Sequence, residues 1–361
     1  MAIEIYPSYI KFNNYQIKIT SSGIGVYNAA GYTVPFTAAG VSNFGARGSV
    51  AGYLSGGESP AFSPQTTSAV DRFPFGSDVP ATSTGGLSAT RQLASGQSSN
   101  AHGYTSGGRS VAPPGTVSNR QTIDRFPFSV NVTASNVGNL TASRFGLSGQ
   151  SSSVSGYASG GNVPSPLTIS NIIDKFPFST DSVTAASVGN MSYTYFYSAG
   201  QSSLTHGYIT GGYTPTFPGI GNPVVTQMHK FPFSTDSGSS LTAYLSNTAR
   251  QYSTGQSSDV SGYVSGGQQI PPFVSLNIID KFPFATDTNA TDVGDLSQSR
   301  LGPSGQSSMT HGYTSGGQGS EPPFPGVTNA IDKFPFSTDG TVASSVGNIS
   351  SARRYSSGNQ Y

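Results

Sequence analysis

Hydrophobic positions in this chain alternate over short runs and then stop at turn residues. The run Ile172-Ile173-Asp174-Lys175-Phe176-Pro177-Phe178 is representative. At a period of two, Asp174, Phe176 and Phe178 share one face and Ile173 and Lys175 the other, which predicts a strand. Pro177 has no N–H to give to a ladder, so the strand should end there. No segment sustains a 3.6-residue period, and helix is expected to be scarce.

The same runs recur along the chain. A GYxxGG motif, with Ser or Thr before the glycine pair, places its tyrosine at Tyr53, Tyr104, Tyr157, Tyr208, Tyr263 and Tyr313, spaced by 51, 53, 51, 55 and 50 residues. An [RK]FPF motif follows each time, opening at Phe73, Phe126, Phe176, Phe231, Phe282 and Phe334. Two motifs that hold phase through six copies define a repeat. Each repeat reads as four short strands: one at GQSS (Gly149–Ser153), one at GYxSG, one at IIDKFPF, and one at the VGNLS-type run. Gly, Pro, Asn, Asp and Ser fill the links, as turns require. The glycine pair is expected to adopt positive φ and let neighbouring backbone approach.

Four strands in about fifty residues is the arithmetic of a β-propeller. The order of strand, glycine doublet, aromatic strand, acidic turn, strand and Ser-x-Arg resembles the kelch repeat over about residues 42–361. Gly160-Gly161 stands where the kelch doublet stands, Lys175–Phe178 replaces its aromatic strand, and Ser143-Arg144 and Ser299-Arg300 match its arginine. The usual kelch tryptophan is missing, because the chain has no Trp. The resemblance implies an all-β, kelch-like propeller. Six four-stranded blades are expected, with seven as the alternative. The residue before each GY alternates (Ala51, His102, Ser155, His206, Ser261, His311), as if two blades were the unit of duplication, and this favours six. The tail Arg354–Tyr361 aligns with a first strand, but so does Phe44–Val50, which leaves open how the ring closes.

Composition narrows the function. Only 9% of residues are charged and the net charge is +1, so no basic surplus exists to neutralise phosphates, and no nucleic-acid partner is expected. There is no cysteine, which excludes disulfides, thiolate nucleophiles and Cys-ligated zinc. It also excludes the Cys–Tyr cofactor of the copper-radical oxidases that share the kelch-like fold. The start MAIEIYPSYIKF lacks a secretory pattern, no apolar run is long enough to span a bilayer, and no cofactor is expected.

Candidate chemistry is sparse. His102, His206 and His311 would fall on a pseudo-threefold in a six-bladed ring and could hold a zinc-like ion. The competing reading, that each merely starts a second strand, is favoured. His229 stands where other repeats carry Asp71, Asp124, Asp174, Asp280 or Asp332 and reads as drift. Arg91, Arg144, Arg250, Arg300 and Arg353 are expected to meet those aspartates across strands in a structural role. Long, proline-bearing stretches after each glycine pair are the expected recognition surface, with Tyr213, Phe217, Phe273 and Phe324 as candidate binding residues.

Residues 1–41 fall outside the repeat grid. IEIYPSYIKFNN and YQIKIT read as two β segments joined at Asn13-Asn14, and YPSYIKF is similar to openings of bacteriophage tail-fibre and other virion appendage proteins. That resemblance implies a structural or adhesive protein of a virion or extracellular appendage. It would be anchored by the N-terminal segment, perform no catalysis, and bind other appendage proteins or a host surface glycan, as a homo-trimer. The alternatives are a carbohydrate-active enzyme of mutarotase or lyase type on a kelch-like ring, and an intracellular kelch scaffold.

Overall fold

The computed structural model describes residues 47–59, 65–112, 115–164, 167–215, 224–246, 248–319 and 326–361, and the backbone of five strands before them. The chain divides into two compact units, Met1–Ser42 and Asn43–Tyr361. The first holds an antiparallel meander of Ile3–Tyr6, Tyr9–Phe12, Tyr15–Thr20, Gly23–Asn28 and Thr33–Val34. The stretch expected as one β segment, IEIYPSYIKFNN, is therefore two strands, the expected segment YQIKIT is the strand Tyr15–Thr20, and two further strands extend the sheet.

The second unit is a six-bladed β-propeller with no helix among the described residues. In the third blade the inner strand Ser148–Ser151 pairs with Ser155–Ser159, then Ile172–Pro177, then Ala186–Asn190, all antiparallel. The third strand stops at Pro177, as its missing N–H requires. Its two faces serve two neighbours. Phe176 packs with Tyr104, Ile123 and Leu140 of the preceding blade, and Ile173 packs with Ile209 and Phe231 of the next. Every blade is thus a slice of core with apolar residues on both sides, so hydrophobic stabilisation scales with the number of closed blade interfaces.

The phase between the two motifs has a steric cause. Gly156 lies opposite Phe176 in the ladder, and a Cβ on Gly156 would sit 2.4 Å from the Phe176 ring. The phenylalanine lies flat across the glycine, and the same fit recurs at Gly52/Phe73, Gly103/Phe126, Gly207/Phe231, Gly262/Phe282 and Gly312/Phe334. The following tyrosine packs against the next blade's FPF pair: Tyr157 lies 5.5 Å from Phe231 and stacks on Phe233 at 4.8 Å.

Closure settles what the sequence left open. The C-terminal strand Ser357–Gln360 is the inner strand of the first blade, paired with Ala51–Ser55. Phe44–Val50 does not take that place. Its described end runs beside the sixth blade and the C-terminus, with the Gly48 N–H donating to Ser307 O at 2.7 Å and that of Val50 to Tyr361 O at 2.5 Å. The seven-blade alternative fails because the N-terminal strands form a sheet of their own. One blade built from both ends of the chain makes ring closure a long-range event.

Buried arginines staple successive blades. Arg144, in the loop that leaves the second blade, donates to Asp174 of the third at 2.5 Å, and both side chains are fully buried. The same guanidinium caps the strand ends at Gly160 O and Ile172 O. Arg91–Asp124, Arg250–Asp280, Arg300–Asp332 and Arg353–Asp71 repeat the pair at 2.7–3.0 Å. At the remaining interface Tyr195 occupies the arginine position and His229 the aspartate position, and Tyr195 Oη lies 2.8 Å from His229 Nε2. Both members changed together, so His229 is half of a neutral staple and not drift. Burial pushes its pKa down to about 4 and raises that of the Tyr195 phenol.

Candidate functional site

The six inner strands surround an axial channel of about 150 Å3. Its wall is glycine, serine, glutamine and a few other uncharged residues, with no ionisable side chain. The strands approach so closely that a Cβ on Gly96, Gly149, Gly200, Gly255, Gly305 or Gly358 would lie 2.0–2.3 Å from the carbonyl oxygen of the next glycine in the ring. Between blades, Gln97, Gln150, Gln201, Gln256 and Gln306 each donate to a tyrosine carbonyl of the following blade at 2.9–3.2 Å. Asn359 completes the circle on Tyr104 O at 2.9 Å. These amides are committed to the ring itself.

The upper face, where the chain enters each inner strand, carries the loops that follow each glycine pair. Three residues before each ring glycine stand Leu93, Gly146, Tyr197, Tyr252, Gly302 and Tyr355, all at positive φ between 55° and 70°. Each donates its N–H to the carbonyl of the one before, at 2.7–3.0 Å, and Leu93 donates to Tyr355, so the hydrogen bonds close in a cycle. This collar escaped the sequence reading. A signal was present: glycine at two of the six equivalent positions, Gly146 and Gly302, marks a left-handed site.

Tyrosine fills three collar positions, and their rings touch. Tyr197 stacks on Tyr252 at 4.0 Å, and Tyr252 meets Tyr355 at 5.1 Å. Burial raises the pKa of Tyr252 and pushes that of Tyr355 up to about 12. Phe196 continues the aromatic contacts outward, 4.3 Å from Tyr197 and 4.8 Å from Tyr213. Phe196 and Tyr213 also exchange backbone hydrogen bonds, which fix the two rings against each other.

Beside them lies a groove of about 530 Å3, lined by Asn162, Thr168, Ile169, Thr194, Phe196, Tyr213 and Pro215. The hairpin of Asn162–Pro164 and Leu167–Ile169 forms one wall. Of the four aromatic residues expected to bind, Tyr213 lies in this groove. Phe273 lies elsewhere, in the turn between Gln268–Gln269 and Val274–Ser275, with 70% of its surface exposed. Phe217 and Phe324 lie outside the described residues.

The three candidate histidines start the second strands of the second, fourth and sixth blades, on the lower face. His206 Nδ1 lies 2.8 Å from Thr205 Oγ1, and His311 Nδ1 lies 2.8 Å from Thr310 Oγ1. Burial, then the neighbouring Arg125, Lys230 or Lys333, lowers the pKa of each ring. Among the described residues no three His, Asp or Glu side chains converge as metal ligands, so the structure does not bring His102, His206 and His311 together. The nearby cations bind across blades instead, in the pairs Arg125–Asp181, Lys175–Asp236, Lys230–Asp287, Lys281–Asp339 and Lys333–Asp78.

Compared with known protein families and with curated proteins, the chain matches none. The geometry defines the class: a six-bladed all-β propeller, closed by its own C-terminal strand, with an uncharged axis and an aromatic upper face.

Proposed function

We propose that this kelch-like propeller is an adhesive structural protein, a component of a virion or similar surface appendage. It binds a surface glycan or a partner protein through the loops of its upper face and turns nothing over. The observation that carries this reading is the axis. An enzyme on such a ring would concentrate ionisable groups there, whereas this channel is lined by Gly, Ser and Gln whose amides already serve the blades. The off-grid aromatic groove on the upper face supports the binding half of the proposal.

The test uses the full chain on immobilised glycans and on glycan-bearing cells, with new reducing ends, unsaturated products and anomer exchange measured in the same incubation. Saturable retention without product is the expected result. Product formation, or failure to bind both surfaces, would overturn the reading.

A further inference from the structure

The geometry points to a neutral, linear oligosaccharide as the ligand of the upper face, lying along an aromatic stripe from the Tyr213 groove to the channel mouth. This inference rests on the adhesive reading and specifies its ligand. Tyr213, Phe196, Tyr197, Tyr252 and Tyr355 form an unbroken series of ring contacts at 4.8, 4.3, 4.0 and 5.1 Å. The Arg354 guanidinium covers Tyr355 at 4.5 Å and ends the series. All five residues are partly exposed. The groove occupies one end of the stripe, and a shallow depression of about 80 Å3 bordered by Tyr197, Tyr252 and Tyr355 occupies the other.

The aromatic residues that build the blades are the repeated GY tyrosines and FPF phenylalanines, and the stripe is made of none of them. At the collar a Cβ on Gly146 or Gly302 would lie 2.8 or 2.5 Å from the Tyr197 or Tyr355 ring, and tyrosine is held at φ 60°, 55° and 59° in Tyr197, Tyr252 and Tyr355. Side chains in that region are strained, and strain of this kind gathers at functional sites.

The chemistry selects the ligand. A pyranose presents an apolar C–H face to an aromatic ring and hydroxyl groups at its edge. Phe196 and Tyr213 border the groove together with Asn162, Thr168 and Thr194, and the collar tyrosines, with Tyr197 and Tyr252 stacked on each other, border the depression beyond it. At the end of the stripe Arg354 pairs with Glu58 at 2.8 Å. The neighbouring Arg109 is stacked on Phe145 at 4.5 Å. A groove of this volume falls within the range of small-ligand sites, and the stripe beyond it extends the contact to further sugar units.

The experiment measures binding of the full chain, by calorimetry, to di- to hexasaccharides of neutral glucans, mannans, galactans and xylans, with sialylated and uronic-acid oligosaccharides in parallel. One neutral series should bind, with affinity rising with length. Tyr213→Ala should weaken every length by about tenfold, equivalent to about 1.4 kcal/mol. Tyr252→Gly should abolish the gain with length. Glycine suits the collar conformation, so this variant should stay folded, as its thermal transition will show. Tyr197→Gly is the second variant should Tyr252→Gly fail to fold. No binding by any neutral series, or preference for the acidic ones, overturns the inference. A neutral series whose length dependence survives the collar variants overturns the stripe and leaves glycan adhesion standing. Turnover of any sugar would instead overturn the adhesive reading beneath it.

Discussion

At the residue scale, Tyr195 and His229 show how one interface was rebuilt without charge. A buried arginine–aspartate pair is costly to break, because removing one partner strands the other in low dielectric. We expect His229→Asp alone, or Tyr195→Arg alone, to cost about 3–5 kcal/mol. The double variant recreates the Arg144–Asp174 arrangement and should recover well over about 1 kcal/mol of that loss in a double-mutant cycle read by urea unfolding. The native pair also sets a pH dependence. The folded-state pKa of His229 is depressed to about 4 by burial, below its ordinary 6.5. The unfolded chain therefore binds the extra proton first. Stability from this group is complete above about pH 6.5 and falls with pH until about 4, by on the order of 3 kcal/mol in total. His102, His206 and His311 are depressed in the same direction. The His229 share is thus the difference in unfolding midpoint between the wild type and His229→Gln across pH 4–7. Parallel pH profiles for the two would refute it.

At the element scale, the inner strand is the tightest part of the fold. Its glycine is required by close approach and not by a turn: a Cβ on Gly200 would lie 2.3 Å from Gly149 O, which is backbone. Neither strand can yield without disturbing amide bonds such as Gln150 Nε2 to Tyr208 O at 3.0 Å. Gly200→Ala should therefore cost about 3 kcal/mol, near the upper end for overpacking. Gly76 lies in a link, and a Cβ there meets nothing within 4 Å. Gly76→Ala should change stability by less than about 0.5 kcal/mol, and comparing the two melting temperatures checks the claim. The outer strands are protected differently. Val183–Thr184 adds in parallel to Gly138–Asn139 of the preceding blade, and Thr341–Val342 to Gly294–Asp295, so each of these edges is covered by its neighbour.

At the scale of the whole molecule, closure makes the six blades cooperative. The first blade takes its inner strand from the C-terminus, so no blade interface can open without loosening the ring. Residues 43–361 form a compact unit of their own, and the five strands of the first unit pair with one another. A chain of residues 43–361 should therefore keep the melting temperature of the full protein within about 2 °C, the shift that follows from well under 1 kcal/mol in a domain of this size. A larger fall, measured by calorimetry, would show that the first unit contributes to propeller stability.

Much of this architecture was legible in the chain. GYxxGG and [RK]FPF gave away the strands of each repeat and the faces of the third strand, because the same blade-to-blade packing problem recurs at every interface and must be solved by the same residues, while the count of six blades over seven waited on closure. The Arg–Asp staples were legible for the same reason. What the sequence could not determine was anything set by closure or by proximity between distant positions. It offered two first strands for the first blade, and only the ring decided between Phe44–Val50 and Ser357–Gln360. It showed His229 as an exception but not its partner Tyr195, 34 positions away, since co-substitution becomes visible only when the two side chains meet. It set Tyr197, Tyr252 and Tyr355 in separate repeats, and the tertiary structure alone brought them to one axis. Local pattern encodes what each blade repeats. Contacts that arise once, from the geometry of the closed ring, are encoded nowhere in the local pattern.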